Sequence, residues 1–172
     1  MAIENWRFVF LFPFLIMTTN CDGLENSLSI SVQNIKSSGE GISITIEIKN
    51  TTVNELYFIS PDSPFAIGIW TIVIVDEFGA KIRIGKRFVE TSGKIDWSKI
   101  EPKASANYII YLPSDNWQVF PTFSEGDVGK IFFEYNLPNG ERTNSERIAK
   151  GNFITDSYAI QDDFREAFKR LF

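Results

Sequence analysis

Histidine is absent from this 172-residue chain, and cysteine occurs once, at Cys21. Without an imidazole there is no Ser-His-Asp triad, no Cys-His dyad, no HExxH zinc protease motif and no His-ligated zinc or copper. A lone cysteine cannot close an internal disulfide, so the fold must rest on its apolar core. No apolar run reaches the ~20 residues that a membrane-spanning helix needs. Positive charge is also short: 17 Lys and Arg stand against 22 Asp and Glu, for a net charge of −5. That balance argues against nucleic acid as a partner, since phosphate backbones attract basic patches. The acidic pairs Asp76/Glu77 and Asp162/Asp163 lack the spacing of a calcium loop and read as a turn and a helix start. No cofactor and no metal site is read from the sequence.

What the chain does have is a strand-forming composition. Aromatics make up 15% of it, and 16 phenylalanines supply most of that share. Phe, Ile and Val favour a pleated, half-buried surface. From Ser27 onward the pattern has period two. Leu28, Ile30 and Val32 alternate with polar residues, and Ile42, Ile44, Ile46 and Ile48 do so again after the turn Ser37 to Gly41. The two runs read as a hairpin. Further strands are expected at Leu56 to Ile59, Ile67 to Val75, Lys81 to Ile84, Asn107 to Leu112, Ile131 to Tyr135 and Phe153 to Ile160. Ile67 to Val75 is apolar at most positions, as befits a central strand covered on both faces. The stretches Phe88 to Lys103 and Pro113 to Gly129 read as irregular. About eight short strands with no helical period between them predict an all-β, immunoglobulin-like sandwich over residues 27–161, with a small barrel as the alternative. A domain of about 140 residues buries roughly two thirds of its unfolded surface, enough without disulfides.

The ends differ from this body. Phe8 to Met17 is an unbroken apolar run of ten residues preceded by Arg7. That length suits the core of a signal peptide spanning 1–21. Cys21 stands where a bacterial lipoprotein signal places its lipidated cysteine, although Thr18 and Asn20 depart from the usual lipobox. Three readings stand: lipidation of Cys21, an ordinary signal peptide with Cys21 incidental, or an uncleaved segment. Residues 22–26 form a short polar spacer. At the other end, Phe164, Ala167, Phe168, Leu171 and Phe172 fall on one helical face. Asp162 and Asp163 at the start and Lys169 and Arg170 near the end suit the helix dipole. The expectation is a C-terminal amphipathic helix over 162–172, packed on the sandwich or docking a partner.

Candidate binding residues are the polar-aromatic pairs Asp96-Trp97 and Asp115-Asn116-Trp117, in segments read as irregular, where binding residues concentrate. A tryptophan beside a carboxylate stacks on a ring or side chain and hydrogen-bonds to it; tryptophans at strand ends also cap a sandwich core. Asp96 and Asp115 are the pair to test for carboxylate-only hydrolysis. Lys81, Arg83, Lys86 and Arg87 form a basic cluster around Gly85; Lys81, Arg83, Gly85 and Arg87 share one face of a strand, a solvated stripe or a docking surface for an acidic partner, with Arg87 its binding candidate. Asn50-Thr51-Thr52 is a turn and also matches a glycosylation sequon, which has meaning only in a eukaryotic source, whereas the N-terminal segment points to a bacterial one.

Glu77 to Leu112 resembles part of the immunoglobulin-like domain that precedes the catalytic domain of deuterolysin-type, lysine-specific metalloproteases. Gly85-Lys86-Arg87 and Asp96-Trp97 stand in places similar to that domain's basic element and Asp-aromatic pair. Glu101-Pro102-Lys103-Ala104 stands at its turn, without the glycine. The resemblance implies a free-standing accessory domain over roughly residues 27–160, one that binds or restrains a protease. The functional expectation is a non-enzymatic extracytoplasmic interaction domain, secreted or held in the cell envelope by a lipid on Cys21, whose partner is another protein. The alternative is a protease inhibitor or pro-domain-like regulator.

Overall fold

The structure, a computed structural model, describes residues 27–38, 41–87, 93–112, 117–120, 128–138 and 147–160. The expected signal segment 1–21 with Cys21, the spacer 22–26 and the helix 162–172 lie outside the described residues.

The described residues form an all-β sandwich. Its strands are β1 (Leu28–Ser38), β2 (Gly41–Asn50), β3 (Leu56–Phe58), β4 (Trp70–Asp76), β5 (Lys81–Lys86), β6 (Ser98–Ile100), β7 (Ser105–Leu112), β8 (Trp117–Phe120), β9 (Val128–Leu137), β10 (Gly151–Ile154) and β11 (Tyr158–Ala159). One sheet has the order β1-β2-β7; the other runs β10-β9-β4-β5-β8, with β11 also on β9. These neighbours are those of an immunoglobulin-like sandwich. A small pair, β3-β6, lies apart from both sheets. It is joined to the chain after β9, where Tyr57 N–H donates to Arg147 O at 2.7 Å and Ala149 N–H to Tyr57 O at 2.8 Å.

Period-two patterning puts one face of each strand inside. On β2, Ile42, Ile44, Ile46 and Ile48 are at most 1% exposed. Trp70, Ile72 and Ile74 of β4 and Ile131, Phe133 and Tyr135 of β9 join them in one apolar cluster. Fully burying such a side chain contributes roughly 1.5–3 kcal/mol. The two polar handles in this cluster are satisfied. Trp70 Nε1–H donates to Ile59 O at 2.6 Å, and the Tyr135 hydroxyl donates to Ala149 O at 3.3 Å. Both acceptors belong to segments flanking the β3 layer, so the core aromatics also hold that layer in place. The other face of β4 is covered too: Val73 is fully buried. Its neighbours on β5 and β9 carry the Arg83–Glu134 ion pair at 2.7 Å and Lys81 over the Phe132 ring at 6.0 Å. The basic stripe is a solvated sheet face, and its Arg83 is already paired.

Three expectations need correction. β6 and β8 lie within stretches read as irregular, because strands of three and four residues are too short to show a period. Ile67 to Ile69 form a turn rather than the start of β4, and Gly68 supplies the positive φ of 70° that the turn needs. The last strand is broken into β10 and β11, because at Thr155 a side chain replaces a ladder bond: Phe133 N–H donates to Thr155 Oγ1 at 2.9 Å. The sequon asparagine, Asn50, is fully buried, with its amide nitrogen donating to Asn54 O, Ile100 O and Glu101 O at 2.7–3.2 Å.

Asn50 closes one end of the sandwich. Its Oδ1 also accepts from Thr52 N–H at 2.8 Å, forming the turn after β2. Glu101-Pro102-Lys103-Ala104 forms the adjoining turn, closed by Ala104 N–H to Glu101 O at 3.1 Å. Proline leads this turn and Lys103 takes φ 59°, the place where glycine is usual. The Lys103 amine donates to Thr51 O, joining the two turns. Replacing Asn50 with alanine orphans buried carbonyls in both, and is expected to cost about 2–4 kcal/mol in urea unfolding.

Candidate functional site

β1 and β10 approach each other at one open side of the sandwich. The other side is bounded by β7 of the first sheet and by β5 and β8 of the second. Chemistry-bearing side chains converge there. Lys86, the last residue of β5, pairs directly with Trp117, the first of β8. Its ammonium stands 5.1 Å from the Trp117 ring centroid, a cation–π distance. Lys86 follows Ile82 and Ile84 on the inward face of β5, so it points its stem toward the core and is half-buried. Burial lowers its pKa from the usual lysine value, and the negative charge of Asp62 opposes that shift.

Asp62 belongs to the loop after β3. Ser63 sets this loop by accepting Phe65 N–H at 3.2 Å and opening a short 3-10 turn, Pro64–Ala66. The same carboxylate acts on Tyr108 of β7. Burial raises that phenol's pKa, a side-chain hydrogen bond with Ser98 lowers it, and Asp62 raises it. Asp62 is exposed, and its charge acts on both Lys86 in one sheet and Tyr108 in the other. The Tyr108 ring meets Phe58 edge-on, centroids 6.0 Å apart, which fixes its direction. Ser98 opens β6 directly after Trp97.

The residues expected from the sequence are distributed as follows. Trp117 lies in this mouth, half-buried and packed against the core. Trp97 is likewise half-buried against the core, next to Ser98. Asp96 is exposed, and so is Arg87, which follows Lys86. Asp115 lies outside the described residues. Sequence reasoning named Lys86 only within the basic cluster, and missed Asp62, Tyr108 and Ser98. The available signal was a lysine continuing the apolar register Ile82, Ile84; Asp62 and Ser98 carry no local signal at all.

A concavity of about 620 Å³ lies on the opposite side, between β1 and β10, against Leu28, Ile30, Phe153 and Ile154. Its lining holds one ionisable side chain, Asp156, so no set of groups converges in it. The mouth, by contrast, offers a half-shielded cation on an indole face, a phenol, a hydroxyl and a carboxylate. That is a recognition set: the cation and donors suit a carboxylate or carbonyl, and the aromatic edges suit an apolar side chain. Among the described residues no group of three acidic or cysteine side chains is placed to hold a metal ion. Asp76 Oδ1 is engaged in its turn by the N–H groups of Phe78 and Ala80 at 2.9 and 2.7 Å.

Fold and site together define an all-β sandwich with a polar-aromatic mouth at one side. No family model matches the chain, and no curated protein matches it. Among solved structures, a DUF1425 family member from Shewanella sp. pv-4 is similar over 57% of this chain and 81% of its own, at 13% identity and a TM-score of 0.29. A likeness that slight carries no argument about this chain. None of these comparisons links it to the deuterolysin-type proteases.

Burial also raises the pKa of Tyr135, and more strongly than that of Tyr108. A phenol held neutral by the fold contributes stability that is complete below the unfolded pKa of about 10 and is lost as pH climbs above it. In a titration followed at 295 nm, Tyr108 and Tyr135 are therefore expected to ionise above the ordinary phenol pKa of about 10, Tyr135 after Tyr108. Tyr135→Phe and Tyr108→Phe identify their share of the signal.

Proposed function

We propose that this chain is a non-enzymatic extracytoplasmic binding domain whose partner is a protein, recognised at the mouth formed by Lys86, Trp117, Asp62 and Tyr108. The observation that carries the reading is the convergence of a half-buried ammonium, an indole face, a phenol and a carboxylate from four separate elements. Aromatic and cationic side chains in partly desolvated positions are the ones that dominate protein–protein binding energy. Arg87, exposed beside Lys86, adds positive charge at the rim, where it steers an acidic partner more than it holds one.

Export rests on the apolar run Phe8 to Met17 and on the position of Cys21. With lipid on Cys21, the five-residue spacer 22–26 would reach at most ~18 Å, keeping the domain and its partner close to the membrane surface. Intact mass with detergent partition tests this. A product beginning at Cys21 with added diacylglycerol is the expected result; a soluble chain retaining Met1 would overturn export.

Lys86→Met tests the mouth, because it keeps the stem and removes the charge. Since burial disfavours the ammonium in the folded state, this substitution is expected to leave thermal stability at neutral pH equal or higher. Capture from envelope extracts should then recover one partner with the wild-type chain and at least about tenfold less with the variant, a change of ~1.4 kcal/mol. Equal recovery by both would remove the mouth from the reading.

A further inference from the structure

The free edges of the two sheets are not alike. β1 carries a register shift between Val32 and Asn34, and Lys36 charges its edge. The β10–β11 edge is interrupted at Thr155 to Ser157. β8 has only four residues. Bulges, charges and shortness of this kind keep strand edges from pairing with other chains. β7 has none of them. Its eight residues, Ser105–Leu112, include no charged side chain, proline or glycine. It pairs with β2 throughout without a register shift, and among the described strands nothing pairs with its other side.

The direction of its backbone groups follows from the ladder. Asn50 N–H donates to Ala104 O at 3.0 Å, in line with the pairing Ile48↔Ala106. Hydrogen-bonded pairs recur every second residue in an antiparallel ladder. Ala106, Tyr108, Ile110 and Leu112 therefore turn their N–H and C=O groups to β2. Asn107, Ile109 and Tyr111 turn theirs to the free side. The side chains of these three are all on the solvent face, with Ile109 49% and Tyr111 55% exposed.

We infer that β7 pairs antiparallel with β7 of a second copy of this chain, about a two-fold axis at Ile109, joining two three-stranded sheets into one. The strand is complementary to itself in that arrangement. Ile109 faces Ile109 of the other copy, and Asn107 faces Tyr111 in both directions, so the three outward-directed residues of each strand exchange backbone bonds. The two exposed apolar side chains gain cover on the outer face. No like charges meet, which matters for copies that each carry a net charge of −5. Of the described edges, only this one is regular, uncharged and long enough, and a two-fold contact closes on itself rather than propagating into a fibre.

Cysteine cross-linking in the full chain with Cys21→Ser tests both the pairing and its register. Residues facing each other in a hydrogen-bonded pair have Cα atoms ~5.5 Å apart, within disulfide range. Ile109→Cys is thus expected to give a covalent dimer under mild oxidation. Asn107→Cys places the two sulfurs' strands out of step by four residues, roughly 14 Å, and is expected to give at least tenfold less. Both positions face solvent, so neither change disturbs the core. Absence of dimer from Ile109→Cys would overturn the pairing, and equal yields from the two positions would show random collision and overturn it as well. Capture with Lys86→Met tests the mouth, which β7 also borders, by a separate readout.

Discussion

On β2 four isoleucines lie inward at 1% exposure or less, and the inward residues of β4 and β9 join them in the same cluster. That layer of branched side chains, closed by Trp70 and Tyr135 with ring centroids 4.9 Å apart, is what the rest of the molecule depends on. No disulfide is available within the domain, because the single cysteine precedes it. The sheets therefore stay together by burial alone, and β-branched residues serve this well because they fill a pleated surface with little side-chain freedom to lose. The register follows from the same constraint: a slip of one residue would move every isoleucine of β2 to solvent.

A dry core of this kind penalises a buried polar group that lacks a partner. Asn50, Asp76 and Thr155 are buried and each finds one in backbone groups: Asn50 caps the turns that close one end, Asp76 forms the turn between β4 and β5, and Thr155 takes over a ladder bond of β9. These residues look like ordinary loop polars in the sequence. Their role in the structure is to let the chain leave one sheet and enter the other without orphaning N–H or C=O groups, which would cost more than a typical hydrogen bond contributes.

The mouth follows from the same alternation carried one residue too far. Ile82 and Ile84 set the inward register of β5, and the next inward position is a lysine, whose stem packs while its charge stays near Trp117 and Asp62. Long cationic side chains tolerate this placement because the methylenes can be buried and the head kept wet. Tyr108 repeats the device on β7, with its ring against Phe58 and its hydroxyl toward Ser98. Two sheets that are apolar between them thus become polar at their open side, and recognition groups are held there by the framework rather than by loops alone.

Alternation of apolar and polar residues was enough to determine that the body of this chain is all-β, a sandwich or a small barrel, where most of its strands lie, and that β1 and β2 form a hairpin. These are local properties, set by a period of two that each strand carries in itself. The same local reading placed Trp97 and Trp117 as candidates but had no means of seeing that Trp117 faces Lys86, or that Asp62, 24 positions before Lys86 and 46 before Tyr108, acts on both. Strands as short as β6 and β8 also escaped it, since three or four residues show no period and exist only because a neighbour supplies the ladder. Which edges are blunted and which is left open is a property of sheet order. Period and composition act within a strand; pairing, burial and the meeting of charges across two sheets act between strands far apart in the chain, and only the tertiary structure decided those.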